Sequence, residues 1–506
     1  MSRYYLPPDF DLPALAAKLV SNQRLVFGNR QSLTTTYLDT FDWRLWRAGF
    51  VLAEEQNGGH RLVLLERDRE PHVVTVGERP RLADDLPAGH LGHTIGPILG
   101  IRALVPLGIA RVSRRDGRLE NTDGEMLAPI RIEEVESLDR EGRASAPPFV
   151  TLEIRGCSSE ALPGFIDGLA AATRHDIETA AAAHGRVPGD YGTSLRFSLE
   201  PGQSAEEALR TIFLELLTTL EANVEGTIDD VDSEFLHDLR VACRRTRSAL
   251  TQLKGVLATE AVASFSAGFK WFGGVTGPLR DLDVFLLAIP AYRAVLPEHL
   301  VPDLGPLEEL IVFERASAHK NLVRALRSRR FVELVAGWRE VLETANPEPT
   351  PAGGEPVSDL AARRISKAVR RILKRGAGLG LDPPATALHR LRIDAKKLRY
   401  LLEFFGSLYP APRVNERIKE LKQLQDILGG LNDMQVQRER LTDFASRLHA
   451  DPRIDTSCIL TLGRIAGTLE TRQEEFRSAF HDAFARFSAP PVRRAFNKLV
   501  GRKEST

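Results

Sequence analysis

The sequence predicts an α+β protein, in which a strand-rich N-terminal part precedes an all-helical C-terminal part. In residues 1–200, short apolar runs alternate with turn signals, which is typical of a largely antiparallel sheet. After Ser204, nearly all of the chain has its apolar residues at helical spacing. A basic segment of this helical part occurs twice, 152 residues apart. The duplication predicts two helical bundles related by a pseudo-two-fold axis.

The N-terminal part is expected to contain several short strands and few helices. The hairpin signal Asn57-Gly58-Gly59 separates two of the strands. The predicted strands cover residues 34–38, 49–54, 61–65, 129–135 and 149–154. The predicted helices cover residues 12–20, 162–173 and 178–183. A stretch rich in Pro and Gly, 188–202, marks the junction between a domain at 1–195 and a helical domain at 203–500.

The helical part starts at a capping box, in which Ser204 is followed three residues later by Glu207. The predicted helices cover 204–224, 233–253, 260–276, 281–294, 303–330, 331–344, 358–375, 385–408, 413–430, 432–450 and 456–487. Residues 346–356 are rich in Pro and Gly and predict a flexible linker. This linker divides the helical domain into halves at about 203–345 and 357–500.

The composition is that of a soluble globular protein, with 43% hydrophobic and 27% charged residues. The net charge is zero, but residues 1–200 carry 23 basic and 28 acidic residues (−5) and residues 201–506 carry 45 and 40 (+5). The spacing of Cys157, Cys243 and Cys458 is not that of metal ligands, which favours a reduced, cytosolic protein. No secretory signal or bilayer-spanning run is recognised, so we expect a cytoplasmic protein without a membrane partner.

The duplicated segment has the pattern His-x-x-Arg-x-x-x-basic-basic-x-Arg. The first copy starts at His237 and ends at Arg247, and the second starts at His389 and ends at Arg399. Further pairs keep the same offset, namely Lys270 and Lys422, Gly277 and Gly429, Leu279 and Leu431, and Asp281 and Asp433. Matches at one offset, with no insertion between them, indicate an internal duplication.

Helical geometry separates this segment into an apolar and a basic face. With His237 at zero, Arg240, Arg244 and Arg247 lie at roughly 300°, 340° and 280°. The opposite face carries Leu239, Cys243, Thr246, Leu250 and Leu253, which the second copy repeats as Leu391, Ala395, Leu398, Leu402 and Phe405. Like charges four residues apart repel one another, so their presence in both copies suggests a bound anion. The alternative is a basic face that only meets solvent.

Metal and nucleic acid are the other ligands to weigh for this face. The cations around His237 and His389 disfavour a divalent metal, and neither His has a His, Asp or Glu partner at i+4. The acidic residues 229–232 are better explained as an N-terminal turn that favours the next helix. The basic face has no interleaved aromatic residues for base stacking, although non-specific contacts to a nucleic-acid backbone stay open.

The two basic segments, with Leu279-Arg280-Asp281-Leu282-Asp283 and Leu431-Asn432-Asp433, resemble the CHAD family over about residues 203–500. The resemblance implies two four-helix bundles that enclose a basic cleft for inorganic polyphosphate. It also implies a place at polyphosphate granules. Carried over by position, the polyphosphate-binding residues are His237, Arg240, Arg244, Arg245, Arg247, Lys270, His389, Arg392, Lys396, Lys397, Arg399 and Lys422. Asp281 and Asp433 are expected to cap helices or orient cations.

The N-terminal part resembles the CYTH family of triphosphate-tunnel domains, on the basis of Tyr37-Leu38-Asp39-Thr40 and residues 45–52 and 149–156. The resemblance implies an antiparallel, tunnel-like sheet, whose interior would include Arg131, Glu133, Glu153 and Arg155. The metal-binding acids expected at the start of the chain are missing from residues 2–7. Ala53-Glu54-Glu55 stands where an Arg-x-Arg pair is expected, Leu65-Glu66 replaces a Lys, and 181–185 lacks a Ser-Lys pair.

These departures predict a tunnel without catalysis, because triphosphate hydrolysis needs acids for a divalent metal and cations for phosphate. The sequence therefore predicts a non-catalytic protein that binds inorganic polyphosphate and needs no cofactor. The alternative is a metal-dependent triphosphatase whose helical domain retains substrate, and a divalent metal would be needed only in that case. No particular oligomeric state is predicted.

Overall fold

The structure is a computed structural model that describes residues 2–6, 23–57, 59–66, 69, 71–154, 175–192, 195, 197–344, 349–380 and 382–501. The chain divides into two compact units, Met1–Gly192 and Thr193–Thr506. The first unit is built on an antiparallel sheet and the second is helical, so the predicted α+β class is confirmed. The helices predicted at 12–20 and 162–173 lie outside the described residues.

The first unit contains nine described strands in one antiparallel sheet, and every pair of neighbours is antiparallel. The strands are β1 Ser2–Leu6, β2 Gln23–Phe27, β3 Gln31–Thr40, β4 Phe50–Gln56, β5 His60–Glu66, β6 His72–Val76, β7 Leu104–Asn121, β8 Met126–Leu138 and β9 Phe149–Ile154. Their order is β1-β9-β8-β7-β3-β4-β5-β6, and β2 pairs with β7 beyond the end of β3.

Among the described residues of this unit, three short α-helices accompany the sheet: α1 Arg44–Arg47, α2 His90–Leu99 and α3 His175–Ala183. Ile177, Ala180 and Ala181 of α3 share an apolar core with one face of the sheet. Leu91, Ile95 and Leu99 of α2 lie in a separate core with Leu38, Leu52 and Leu62. Because Leu52 alternates with Val51 and Ala53 along β4, the two helices cover opposite faces of this strand.

The five predicted strands all exist, but the longest strand of the sheet was not predicted. The pattern of β7 is obscured by Pro106, by Gly108 and by the charged run Arg114-Arg115-Asp116. Gly108 is required by packing, because a Cβ at this position would lie 2.5 Å from the carbonyl carbon of Ala180 in α3. Alternation therefore fails as a signal where neighbouring backbones meet the strand closely. β1, β2, β6 and α2 were also missed.

The second unit contains helices α4 to α15. They are α4 Ala205–Ala222, α5 Val224–Ile228, α6 Ser233–Gln252, α7 Thr259–Val275, α8 Gly277–Ala294, α9 Gly305–Leu326, α10 Arg329–Glu343, α11 Val357–Ala377, α12 Ala385–Phe404, α13 Ala411–His449, α14 Thr456–Ser488 and α15 Pro490–Leu499. The Ser204 capping box is present, with both of its hydrogen bonds at 3.2 Å. The predicted helices are confirmed, with the exception of one break, and α5 and α15 are additional.

The helical unit keeps the 152-residue offset of the sequence. Helices α4, α6 and α7 start at 205, 233 and 259, and α11, α12 and α13 start at 357, 385 and 411. The equivalent residues Ser204 and Pro356 form an antiparallel bridge. In this bridge the Ala205 N–H donates to the Glu355 carbonyl at 2.8 Å, and the Val357 N–H donates to the Gln203 carbonyl at 3.0 Å. Since each bond is the symmetry copy of the other, a pseudo-two-fold axis passes through the bridge.

One predicted break, between helices at 413–430 and 432–450, is wrong, because α13 runs unbroken from Ala411 to His449. The first half does have the break, between α7 and α8, where Pro278 lies in the first turn of α8. Proline lacks the N–H that a continuing helix needs. Its equivalent is Gly430, where a Cβ would lie 2.4 Å from the ring of Phe476 in α14. This glycine therefore serves helix packing and does not end the helix.

The apolar core of the helical unit spans both halves. Its largest cluster joins residues of α4, α6, α7 and α10 with residues of α11, α12, α14 and α15. A second cluster joins α8 and α9 with the second part of α13 and the first part of α14. Across that second cluster, the rings of Phe285 and Phe444 meet edge to face at 5.5 Å. The repeats therefore share their cores. Among the described residues, no helix is long and apolar enough to cross a membrane.

The segment predicted as a flexible linker is anchored where it is described. The Thr350 hydroxyl lies 2.8 Å from the carbonyl oxygens of Gly255 and Val256 in the first half. The Glu355 carbonyl takes part in the symmetric bridge. Residues 345–348 lie outside the described residues. The described part of the linker thus holds the halves in register through hydrogen bonds.

We expect Asp232→Ala to lower the free energy of unfolding of the helical unit by about 1 kcal/mol, because the Asp232 carboxylate caps α6. It accepts hydrogen bonds from the Glu234 and Phe235 N–H groups, at 2.8 and 3.2 Å. Urea denaturation followed by circular dichroism measures the change. Asp229→Ala is the matched control, since Asp229 is exposed in the same acidic turn but does not cap α6. Equal losses in both variants would contradict the capping role.

Candidate anion-binding site

The duplicated basic segments lie on α6 and α12, two equivalent helices of 20 residues each. The apolar residues predicted for the two helices are all buried, as are Thr246 and the small residues among them. This burial fixes the rotation of each helix about its axis. The cations on the opposite side of each helix are therefore directed away from the core.

Side chains of α6 reach α12 directly. The Arg244 Nε donates to the Tyr400 hydroxyl at 2.9 Å, and an Arg245 Nη2 donates to the Glu403 carboxylate at 2.9 Å. The Gln252 amide donates to the Lys397 carbonyl at 3.2 Å. These contacts bring the two basic segments side by side, which the sequence predicted only through the family resemblance.

In the first half, Arg240 is oriented by the break between α7 and α8. Its Nη1 donates to the Thr276 hydroxyl at 2.8 Å and to the Gly273 carbonyl at 3.3 Å. Burial lowers the pKa of the Arg240 guanidinium from its usual value, Asp281 opposes this shift and Arg244 adds to it. Arg240 thus keeps its charge next to neutral hydrogen-bond acceptors. Both bonds are donated by Nη1, and no hydrogen bond joins its Nε or Nη2 to a described residue.

In the second half, the equivalent contacts involve polar residues of α13. An Arg392 Nη2 donates to the Asp433 carboxylate at 3.2 Å. The His389 Nδ1 lies 2.8 Å from the Asn432 side-chain oxygen. Asp433 therefore orients a cation, as expected. Its equivalent Asp281 lies 3.7 Å from Arg440 of α13, so this acid also faces a cation of the other half.

The Lys396 amine is influenced by charged side chains of both halves. Burial is the main reason that its pKa falls from 10.5 to about 8, and repulsion from Arg392 and Arg244 lowers it further. Asp433 opposes the shift, and Arg399 adds to it. Since Arg244 comes from α6 and the other groups from the second half, cations of both halves act on one amine. The four residues Arg240, Arg244, Arg392 and Lys396 are called the cationic cluster below.

The other predicted site residues differ in their surroundings. His237 and Lys397 are half-buried, and Arg247 is exposed on the basic face of α6. Arg245 and Arg399 both pair with Glu403. Lys270 and Lys422 are exposed on α7 and α13, outside the contact between α6 and α12.

Sequence reasoning missed Tyr400 and Glu403, although both lie on the predicted helix. Glu403 was detectable as a partner of Arg399, because an acid and a base four residues apart on a helix face each other. Tyr400 gave no comparable signal. The Cys243 thiol is buried on the apolar side of α6, as predicted, and burial raises its pKa to about 11. This thiol is therefore unreactive at neutral pH.

The sheet of the first unit carries charge on one face as well. The register pairs Arg114 with Glu133, Arg131 with Asp116, and Glu153 with Arg131, so these side chains share that face. Arg155 lies outside the described residues. Arg114 is buried and donates to Glu133 at 2.7 Å and to Glu55. Burial lowers the pKa of Arg114, but the bonds and charges of Glu55 and Glu133 outweigh burial and raise it. The guanidinium thus has two carboxylate partners from the protein.

Comparison with known proteins agrees with the geometry of the helical unit. Residues 211–442 match the family model described as the CHAD domain. This chain contains a CHAD domain. The matched range begins within α4 and ends within α13, so it includes both helices of the CHAD domain that carry the basic segments.

Curated relatives and solved structures were also found. Two uncharacterized proteins of Mycobacterium tuberculosis, MT2285 and Rv2226, are 29% identical over 219 residues, which is 42% of this chain. This chain spans 40% of the length of those relatives. A crystal structure of the CHAD domain from the plant Ricinus communis is 21% identical with a TM-score of 0.44, and covers 62% of this chain and 98% of that one. PptA from Streptomyces chartreusis is 17% identical with a TM-score of 0.44, and covers 56% and 99%.

We expect the Lys396 amine to titrate near pH 8, and Arg392→Ala to raise its pKa because a repulsive charge is removed. NMR of ¹³C-labelled lysine across pH 6–11 measures this titration. Arg339→Ala is the control, because Arg339 pairs with Glu221 outside the cationic cluster. A Lys396 pKa that Arg392→Ala leaves unchanged would contradict the proximity of the two side chains.

Proposed function

We propose that the CHAD domain of this protein binds inorganic polyphosphate along the basic faces of α6 and α12. The observation that carries the proposal is the cationic cluster, in which Arg244 of one half and Lys396 of the other repel each other's charge. Neither residue forms an ion pair with a described acidic residue. A site that keeps like charges together, with few acids to offset them, is suited to a multivalent anion.

The chemistry of the cluster suits phosphate oxygens. Guanidinium groups donate pairs of parallel hydrogen bonds to phosphate, and a charged amine donates three. The basic face of α6 from His237 to Arg247 extends over about 15 Å of helix. A linear chain of phosphates offers a charge at every unit along such a path. Contacts of this kind neutralise the repulsion that the helices otherwise carry.

The aromatic residues near the cluster disfavour single-stranded nucleic acid. Tyr400 is buried and its hydroxyl accepts from Arg244. The ring of Trp271 is covered by the Arg330 guanidinium, which lies 4.2 Å from the ring centroid. Neither ring is free to stack on a base, and stacking is the main sequence-tolerant contact of such proteins. Nucleic acid is therefore proposed as a non-specific competitor only.

The proposed role is binding without catalysis. In the first unit, Glu55 stands where the CYTH resemblance expects a phosphate-binding Arg, and it bonds to Arg114. A carboxylate at this place repels a triphosphate and occupies one of the cations that would hold it. Cytoplasmic polyphosphate granules are the proposed location, which rests on the CHAD resemblance.

We expect the full-length protein to bind long-chain polyphosphate at physiological salt. Replacing the cationic cluster by alanine (Arg240→Ala/Arg244→Ala/Arg392→Ala/Lys396→Ala) should weaken binding at least about a hundredfold, since each charge-assisted bond contributes about 1.5–3 kcal/mol. The slope of log K against log salt should become shallower by roughly 3 for four lost cations. Fluorescence titration with end-labelled polyphosphate measures both quantities, and duplex DNA at equal phosphate concentration is the competitor.

The matched control removes the same number of charges elsewhere, as Lys320→Ala/Arg324→Ala/Arg327→Ala/Arg329→Ala. These four cations are exposed on α9, directly after its end and at the start of α10. If both quadruple variants bind like the wild type, the faces of α6 and α12 only meet solvent. Release of phosphate from tripolyphosphate with a divalent metal would instead support the triphosphatase alternative.

We also expect polyphosphate affinity to fall as the pH rises above about 8. Free Lys396 loses its proton around this pH, whereas a bound anion keeps the amine charged. Binding above pH 8 then requires proton uptake, which costs up to tenfold in affinity for each pH unit. Below pH 8 the amine is charged in both states and adds no pH dependence. Lys396→Arg should abolish the decline between pH 8 and 10, and an unchanged decline in this variant would assign it to another group.

A further inference from the structure

Glu403 is a carboxylate within the basic surface of the CHAD domain. Its side chain is 15% exposed. One oxygen accepts from the Arg399 Nε at 2.7 Å, and the other accepts from the Arg245 Nη2 at 2.9 Å. Arg245 comes from α6, whereas Arg399 and Glu403 come from α12. This one acid therefore joins the two halves and holds one cation of each.

The two arginines held by Glu403 differ from the cationic cluster. Arg245 is itself only 13% exposed, so solvent and salt screen its ion pair weakly. Arg244, one residue earlier, donates to a neutral tyrosine hydroxyl and makes no ion pair with a described acid. Arg245 thus faces an anionic side chain of the protein, whereas the neighbouring Arg244 pairs with none among the described residues.

A phosphate that approaches Arg245 or Arg399 must compete with this carboxylate. The Glu403 charge already offsets part of the charge of each guanidinium, so the net gain from a further bond to phosphate is small. Displacing Glu403 would leave a partly buried carboxylate without its partners, beside a polyanion of the same sign. The arginines held by Glu403 therefore contribute little to anion binding, although their positions in the sequence match those of the cluster residues.

We propose that Glu403 is a built-in competing anion, which limits how tightly the basic surface of α6 and α12 holds polyphosphate. This inference rests on the proposed function of the surface. Glu403 reduces the contribution of Arg245 and Arg399 to phosphate binding and adds a repulsive charge beside the bound polyphosphate. The polyphosphate is then held by the cationic cluster and can still dissociate. Glu403 is in this sense a residue that sets affinity without touching the ligand.

The test is Glu403→Gln in the full-length protein, because glutamine keeps the shape of the side chain and removes its charge. We expect affinity for long-chain polyphosphate to rise about tenfold or more. The slope of log K against log salt should become steeper by roughly 0.7 for each arginine that is released. Adding Arg245→Ala to Glu403→Gln should reverse part of the gain, because one of the released cations is lost again.

Two variants control for loss of charge and loss of fold. Glu308→Gln removes an acid that pairs with Arg293 through both oxygens, between α8 and α9, and should bind like the wild type. If Glu403→Gln fails to fold, Arg245→Ala tests the same point. Arg245→Ala should weaken binding less than about threefold, whereas Arg244→Ala should weaken it more than tenfold, with melting curves verifying that both variants fold.

The outcomes separate this inference from the proposed function. The role of Glu403 would be overturned if Glu403→Gln bound polyphosphate with the same affinity as the wild type. It would also be overturned if Arg245→Ala and Arg244→Ala lost equal amounts of affinity. Either result would leave the proposed polyphosphate binding intact. An absence of polyphosphate binding by the wild type would overturn the proposed function, and this inference with it. Tighter binding by Glu403→Gln, together with an unchanged Glu308→Gln, is the result we expect.

Discussion

Burial of the apolar faces of α6 and α12 in one shared core is the constraint on which the helical unit depends. Each of these faces buries three large or medium apolar side chains or more, and each side chain contributes about 1.5–3 kcal/mol. Repulsion between like charges four residues apart costs only a few tenths of a kcal/mol for each pair. Burial therefore decides how the helices are rotated, and the cations gather on the remaining faces although they repel one another.

The equivalent cations Arg240 and Arg392 are held by different contacts in the two halves. In the first half, Pro278 interrupts the helix between α7 and α8, and the buried Thr276 hydroxyl and the Gly273 carbonyl accept from Arg240. In the second half, α13 continues, Leu428 stands at the position equivalent to Thr276, and Asp433 accepts from Arg392 instead. The neutral contact of the first half is thus replaced by an ion pair in the second half, where no hydroxyl stands at position 428. The duplication preserves the positions of the cations more strictly than their partners.

The two units of the chain differ in how their charged side chains are neutralised. In the sheet of the first unit, Arg114 is satisfied by Glu55 and Glu133 of neighbouring strands. In the CHAD domain, neither Arg244 nor Lys396 forms an ion pair with a described acid, and repulsion from Arg392 and Arg244 adds to the effect of burial on Lys396 and outweighs Asp433. Charge that the protein neutralises itself stabilises or specifies a fold, whereas charge that it leaves in excess is a signature of ligand binding.

The sequence by itself determined the α+β class, the duplication at 152 residues and the apolar stripes of α6 and α12, because helical period and exact offset are local properties of the chain. The sequence did not predict β7, in which Gly108 is required by its close contact with α3. It also predicted a helix break next to Gly430, whereas this glycine is required by packing against Phe476. Only the tertiary structure decided that Arg245 of α6 faces Glu403 of α12 while Arg244 and Lys396 do not. The physical reason is that a charge is neutralised by whatever lies within a few ångströms of it, and those neighbours come from distant parts of the chain.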